Sequence, residues 1–371
     1  MIIIKDEKYH YLSIFNPEDG TGIRSNVYEE NFLVTEKEPF MGSFPELLDI
    51  GIMGSCAHGK SGLCFQSGVE CYQSGSLVQE PDMTLDKFRR LVDQAKGRTF
   101  QIALGGRGDP DMHPDFVAMI KYARENTVVP NFTTSGFGFK DELLDPIKTY
   151  CGAAAVSWYR NKYTFKALEK LVNYGIRTNI HYCISNATID EAIQMIEKRN
   201  YPEGINRIIF LLHKPIGLGR EENILDVSDE RVQYFFSLFN KKENLDITGF
   251  DSCSVPGLIN FTSKIDPMCI ESCEAGRFSA YVSPDYKLYP CSFEQDPYFG
   301  VSLEDHSIEE AWNSPQFFEF RERFNNKCAG CLDYDLCFGG CPVVPDIVLC
   351  NRDSKQLIAS DDLYKEREGM L

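Results

Sequence analysis

The sequence predicts an α/β fold, a parallel sheet covered by helices, followed by a cysteine-rich extension. Two observations carry this. Between about residues 45 and 240, short apolar β-rich runs alternate with amphipathic helical stretches, in six β-then-α units roughly 25 residues apart. After about residue 250 the periodicity fades and cysteines dominate, as in a segment that depends on metal for its fold. Six units are too few for a closed eight-fold barrel; they leave an open, partial barrel or a doubly wound sheet. In either case ligands gather at the carboxyl ends of the strands. The expected organisation is a β-leaning lead-in over 1–45, a core over 46–250, and the cysteine-rich region with a C-terminal tail over 251–371.

The elements follow in order. ELLDIGIMG (46–54) reads as a buried strand. TLDKFRRLVDQAKG is a helix, with Thr84 as cap, Leu85, Phe88, Val92 and Ala95 on one face, and Gly97 as stop. TFQIALGG (99–106) is the second strand, DFVAMIKYAREN a helix, and VPNFTTSG (129–136) the third strand. KDELLDPIKTY is helical, kinked or shortened by Pro146. AAAVSWY (153–159), TFKALEKLVNYG and RTNIHYCI (177–184) continue the alternation. TIDEAIQMIEKR opens with a capping box from Thr188 to Glu191. INRIIFLLHK (205–214) is the sixth strand, and SDERVQYFFSLFN a helix capped by Ser228.

No apolar run approaches the ~20 residues of a membrane helix. The N-terminus, MIIIKDEKYHYLSIF, lacks a signal pattern, so the expected location is the cytoplasm. The net charge is −17 with no basic run, which disfavours DNA, RNA and anionic membranes as partners and suits one of basic character. Fourteen cysteines in such a chain are not explained by disulfides. Cys151 and Cys183 read as buried apolar residues. Eleven others form two groups with short, ordered spacings.

The first group is Cys56-x7-Cys64-x6-Cys71, in a glycine- and serine-rich loop directly after the first core strand. Three thiolates hold three irons of a [4Fe–4S] cube and leave the fourth for a non-protein ligand. A zinc site with His58 as fourth ligand is the alternative on this loop alone. The neighbouring strand ends suit a nucleotide-sized ligand: Gly105-Gly106-Arg107-Gly108-Asp109-Pro110 after the second strand, Thr134 and Ser135 after the third, Ser157 and Arg160 after the fourth, and Ile216-Gly217 after the sixth. Singly, each is equally an ordinary turn.

Together these features resemble the radical S-adenosylmethionine (SAM) enzymes. In that family three cysteines follow the first strand and an aromatic follows the third, as Tyr72 follows Cys71. The family's GGxGEP segment, which binds the SAM amino group, appears with Asp109 in place of Glu. The usual cysteine spacing is x3 then x2, so the loop here is longer. The resemblance covers about 45–240 and implies a partial (β/α)6 TIM-like barrel. It also makes Cys56, Cys64 and Cys71 the ligands of a SAM-binding cluster, with Tyr72, Gly105, Gly106, Gly108, Asp109, Pro110, Thr134, Ser135, Ser157, Arg160, Ile216 and Gly217 as its SAM contacts.

The second group runs Cys269-x3-Cys273-x17-Cys291, then Cys328-x2-Cys331-x5-Cys337-x3-Cys341-x8-Cys350. By spacing alone it serves two structural zincs equally well. With YVSPDYKLYPC and IEEAWNSPQF around it, it resembles the SPASM extension of radical SAM enzymes. That resemblance implies two auxiliary [4Fe–4S] clusters, one on Cys269, Cys273, Cys291 and Cys341, the other on Cys328, Cys331, Cys337 and Cys350. The family's usual glycine is Tyr286 here. Cys253 is left over: it reads first as a buried thiol, with a substitute ligand or a substrate-facing group as the alternatives.

The family resemblance implies reductive cleavage of SAM and hydrogen abstraction from a peptide, by a maturase that crosslinks, epimerises or excises. A sulfatase-maturing enzyme is the alternative within the family, but its Asp after the cysteine corresponding to Cys291 is Ser292 here. A non-enzymatic zinc or electron-transfer protein is the alternative outside it. Implied partners are a precursor peptide, a separate small leader-recognition protein and a flavodoxin or ferredoxin. Asp251, Cys253 and Tyr159 are candidate bases by position.

Overall fold

The computed structural model describes residues 1–29, 33–35, 37–325, 328, 331 and 333–351. Strands β1 (Ile2–Asp6), β2 (Tyr11–Phe15) and β3 (Gly22–Arg24) form a separate antiparallel sheet in the order β1-β2-β3. The main sheet is built from β4 (Leu47–Ile50), β5 (Gln101–Leu104), β6 (Val129–Thr134), β7 (Ala154–Ser157), β8 (Thr178–Ile184) and β9 (Arg207–Leu212). These six strands pair in sequence order and in parallel. β10 (Thr248–Phe250) adds a parallel strand beside β9. β11 (Ser279–Val282) pairs in parallel with β4, and β12 (Lys287–Tyr289) and β13 (Val301–Ser302) follow antiparallel. The order β10-β9-β8-β7-β6-β5-β4-β11-β12-β13 is an open, partial barrel. Part of the cysteine-rich region therefore continues the core sheet.

Period-two alternation sorts each strand into two faces. On β8 the side chains of Ile180, Tyr182 and Ile184 are at most 1% exposed and pack outward, while His181 and Cys183 line the lumen. On β4, Leu48 and Ile50 pack outward and Leu47 and Asp49 face in. The outer layer is α3 (Leu85–Ala95), α4 (Phe116–Glu125), α5 (Leu144–Tyr150), α6 (Lys162–Asn173), α7 (Ile189–Lys198) and α8 (Glu230–Ser237). Two short helices, α1 (Ala57–Ser61) and α2 (Leu63–Gln66), precede them inside the first cysteine loop. Thr84 caps α3 through the Lys87 N–H at 3.3 Å, and Phe88, Leu91 and Val92 are at most 1% exposed. Each such burial contributes on the order of 2 kcal/mol.

Three local expectations differ from the structure. Thr188 makes no cap: its hydroxyl accepts the Ser185 N–H and donates to the Cys183 carbonyl, which removes it from α7. Asp229 rather than Ser228 caps α8, because Ser228 turns back to Asp226. Pro146 lies in the first turn of α5, where a missing N–H costs nothing, so it causes no kink. Tyr286, at the position where the resemblance expects glycine, adopts φ +67 in the turn between β11 and β12. Its ring is 1% exposed beneath Arg90 and Lys87, and that burial offsets the backbone strain.

The N-terminal sheet is fixed to the barrel by Arg24. Its guanidinium pairs with Glu46 at 2.7 Å and with Glu271 and Glu274, and lies 3.8 Å from the Phe278 ring centre. Among the described residues no helix is long and apolar enough to cross a membrane.

Candidate active site

The barrel lumen and the strand ends form a cavity of about 570 Å³. Cys56, Cys64 and Cys71 line it, each partly buried. Cys56 is itself the N-cap of α1: its sulfur accepts the Gly59 N–H at 3.0 Å. The Gly75 N–H reaches the Cys71 sulfur at 3.3 Å. Burial pushes the Cys56 thiol up to about 11, against the Gly59 N–H that lowers it, and burial raises Cys64 as well. Deprotonating Cys56 and Cys64 together therefore calls for a cationic metal, which a cluster supplies. The donor set, three soft sulfurs with backbone N–H groups aimed at two of them, fits an iron–sulfur cube with one open corner. Among the described residues no three Cys, His, Asp or Glu groups converge tightly enough to hold a single metal ion.

Most of the predicted strand-end residues line the same cavity: Tyr72, Gly105, Gly106, Gly108, Asp109, Thr134, Ser135 and Ser157. Gly108 adopts φ +76, and a Cβ there would stand 2.4 Å from the Ser55 carbonyl, so only glycine brings this backbone against the cysteine loop. Asp109 accepts the Ser135 N–H and Oγ–H, both at 2.6 Å, and so orients the end of β6. Burial raises its pKa, and the two Ser135 bonds work against that.

Pro110, Arg160, Ile216 and Gly217 do not line the cavity. Pro110 opens a buried turn behind Asp109. The Arg160 guanidinium is taken up by Glu191 and the Ser67 carbonyl. The Ile216–Gly217 segment grips the loop itself: Leu218 N–H donates to the Cys71 carbonyl at 3.0 Å, and a Cβ on Gly217, at φ +64, would stand 2.3 Å from the Tyr72 carbonyl. The Tyr72 ring stacks on Phe293 at 4.3 Å, toward the cysteine-rich region. Gln73 Nε2 donates to the Ser292 carbonyl at 2.8 Å.

Of the second cysteine group, Cys273 and Cys291 line this cavity too, together with Cys253. Cys253 donates a hydrogen bond to Cys341 and lies close enough to Cys273 and Cys291 to bear on both electrostatically. Cys269, expected in this set, is exposed in the turn Pro267–Cys269, whereas Cys253 lines the cavity with Cys273 and Cys291. The fold accounts for the position of Cys253. Cys253 follows β10 and is held by Asp251, which accepts the Leu212 N–H at 2.9 Å and the Ser254 hydroxyl at 2.7 Å. Cys328, Cys331, Cys337 and Cys350 are neighbours elsewhere. Burial pushes the Cys337 thiol up to about 11, and the other three add to it.

Sequence reasoning named His58 only as an alternative zinc ligand and Cys183 as a buried thiol, and it passed over His181, Glu70 and Lys214; all five line the cavity. Cys183, read as buried in apolar surroundings, faces the cavity on β8. His58 packs on the Tyr159 ring at 4.5 Å with Nε2 buried and unpartnered, and burial lowers its pKa to about 4. His181 is likewise lowered to about 4 by burial. Glu70, directly before Cys71, accepts the Arg220 N–H at 2.8 Å. Lys214 is 2% exposed. Burial opposes its charge, but Cys253, Asp251, Cys341 and Cys291 outweigh that and hold the ammonium protonated. Of the candidate bases, Tyr159 is held as a phenol by burial and the nearby thiols, whereas Asp251 faces the cavity as an oriented carboxylate. Inward-facing polar residues at alternate strand positions were the available signal for His181 and Cys183. Lys214 carried none.

Comparison with known proteins agrees with this geometry. The iron–sulfur cluster-binding SPASM domain model matches residues 273–332. The mycofactocin maturase MftC of Mycobacterium tuberculosis is 25% identical over 304 residues, 75% of each chain. Among solved structures, Streptococcus suis SuiB bound to its precursor peptide SuiA superposes with a TM-score of 0.61 at 16% identity, covering 88% of this chain and 84% of that one. The chain anSMEcpe with bound AdoMet gives 0.58 at 15% identity, over 87% and 94%. The structural likenesses establish the shared partial-barrel fold.

Proposed function

We propose that this chain, a radical SAM enzyme with a C-terminal SPASM domain, is a maturase that acts on a ribosomally made precursor peptide. The observation that carries the reading is the single cavity. It is lined at once by the three thiols of the first loop, by the strand ends suited to SAM, and by Cys253, Cys273 and Cys291. Similarity to MftC, a maturase by name, and the fold shared with peptide-bound SuiB support a peptide substrate.

The chain's own residues divide the work. Cys56, Cys64 and Cys71 hold the SAM-binding cluster, with the Gly59 and Gly75 N–H groups supporting two of the sulfurs. The open backbone at Gly105–Gly108 and the hydroxyls of Thr134, Ser135 and Ser157 bind and orient SAM, with Asp109 fixing Ser135. Cys253, Cys273, Cys291 and Cys341 hold one auxiliary cluster, and Cys328, Cys331, Cys337 and Cys350 the second. Asp251, oriented by Leu212 N–H and Ser254, accepts a proton from substrate at its carboxylate. The buried walls exclude water from the reacting centre. The bound cluster and SAM supply hydrogen-atom abstraction from an unactivated C–H bond.

A cytoplasmic setting, a flavodoxin- or ferredoxin-type reductant and a separate small leader-recognition protein complete the proposal; the net charge of −17 suits a partner of basic character. The test is anaerobic reconstitution, then incubation with SAM, dithionite and a short peptide encoded beside the gene. Formation of 5′-deoxyadenosine with a mass change or a changed stereocentre in the peptide is expected. No 5′-deoxyadenosine from iron-loaded enzyme overturns the activity. Tight leader binding by the enzyme alone overturns the separate recognition protein.

A further inference from the structure

We propose that Lys214 is the fixed counter-charge of the first auxiliary cluster, and that it holds up that cluster's one-electron reduction potential. The proposal rests on the reading that Cys253, Cys273, Cys291 and Cys341 hold a cluster. Lys214 lies just past the end of β9 and is 2% exposed. A buried ammonium is costly unless it is compensated. Among the described residues its side chain makes no ion pair. Its Nζ lies 3.5 Å from the Leu212 carbonyl and 3.8 Å from the centre of the Phe293 ring. Asp251, the nearest carboxylate to bear on it, is already engaged by Leu212 N–H and the Ser254 hydroxyl.

The ammonium shares its cavity with sulfur. Lys214, Cys253, Cys273 and Cys291 line one cavity, and Cys341 bonds Cys253. Phe293, the ring beneath the ammonium, donates its own N–H to the Cys291 sulfur at 3.5 Å. Four thiolates around a [4Fe–4S] core make a net anion, and reduction adds one more negative charge. A fixed cation in a low-dielectric site favours the reduced form. One electron enters from the external donor, and Lys214 neither gains nor loses a proton.

The experiment is an EPR-monitored redox titration of the full-length, reconstituted enzyme with titanium(III) citrate, without peptide. Lys214→Met and Lys214→Gln are expected to lower one of three cluster potentials by at least 59 mV, a tenfold fall in its reduced-to-oxidised ratio. Lys214→Arg keeps that ratio within threefold, and the other two clusters move less than threefold in every variant. Unchanged potentials in iron-replete Lys214→Met overturn the proposal. Loss of the cluster's iron from both neutral variants also counts against it, since the role is then structural. Because no peptide is present, the result is independent of the maturase reading. A wild-type enzyme with two clusters would instead sink the ligand reading.

Discussion

Replacing Cys253 by serine is expected to cost the enzyme iron, and replacing Cys269 by serine is not. Serine keeps the volume of either side chain, so the comparison isolates the sulfur. Three [4Fe–4S] clusters amount to about twelve irons per chain. Cys253 is packed against Cys341 and near Cys273 and Cys291. Its loss leaves that cube three thiolates, and the content falls by between about one iron and a whole cluster of about four. Cys269 is exposed beside Met268, itself 89% exposed, and its N–H is held by the Asp266 carbonyl at 2.8 Å. Its replacement should leave about twelve irons. Iron and acid-labile sulfide analysis after anaerobic reconstitution gives the answer, with EPR to identify which signal is altered. Iron loss from Cys269→Ser with none from Cys253→Ser would refute the assignment, and so would equal losses from both.

Three further outcomes follow from the geometry. Gly217→Ala forces a Cβ to within 2.3 Å of the Tyr72 carbonyl at φ +64, a strain of about 3 kcal/mol, and should cut 5′-deoxyadenosine formation at least tenfold with iron content retained. Arg24→Ala leaves Glu46 buried and Glu274 half-buried without their cation and should lower stability by about 3 kcal/mol in chemical denaturation; Arg24→Lys should recover less than half, because one ammonium cannot match the fork that serves three carboxylates. Asp49 is raised to about 7, by burial first and then by Glu274. The folded state thus holds a proton that the unfolded state releases near pH 4. Stability from this group is present at low pH and lost as pH rises toward about 7. Between pH 5.5 and 8 the wild type should lose about 1–2 kcal/mol relative to Asp49→Asn, the cavity's water screening the remainder. A parallel pH profile for the two proteins would contradict this.

The barrel was legible because period-two strands and 3.6-period helices write their buried faces into the sequence, as RTNIHYCI and LDKFRRLVDQA show. The cysteine loop was legible because ligand chemistry allows few residue types. Local caps were less so. Thr188 has the right spacing for a box with Glu191, but the Ser185 N–H and the Cys183 carbonyl compete for its hydroxyl, and tertiary placement decides. The position of Cys253 beside Cys273 and Cys291 was legible only as one of three readings of a left-over cysteine. Spacing favours Cys269, four residues before Cys273, whereas the sheet brings Cys253, twenty residues before it, to the same rim through β10.

The long first loop and the internal bonds of Arg160 have one structural cause. The extra residues between the cysteines fold as α1 and α2, and Cys56 caps the first of these with its own sulfur. α2 ends at Ser67, whose hydroxyl donates to the Tyr159 carbonyl and whose carbonyl accepts from Arg160. The insertion therefore docks just past the end of β7 and engages the Arg160 guanidinium. Glu191 and Trp158 complete that contact, with Trp158 Nε1 at 3.0 Å from Glu191. On the opposite side the 215–220 segment clamps the Cys71 and Tyr72 carbonyls. A loop of this length, held only at its cysteines, would leave the three sulfurs free to drift apart. Anchored at Ser67 and at Cys71–Tyr72, it keeps them on one wall of the cavity, which is the geometry an open-cornered cluster requires.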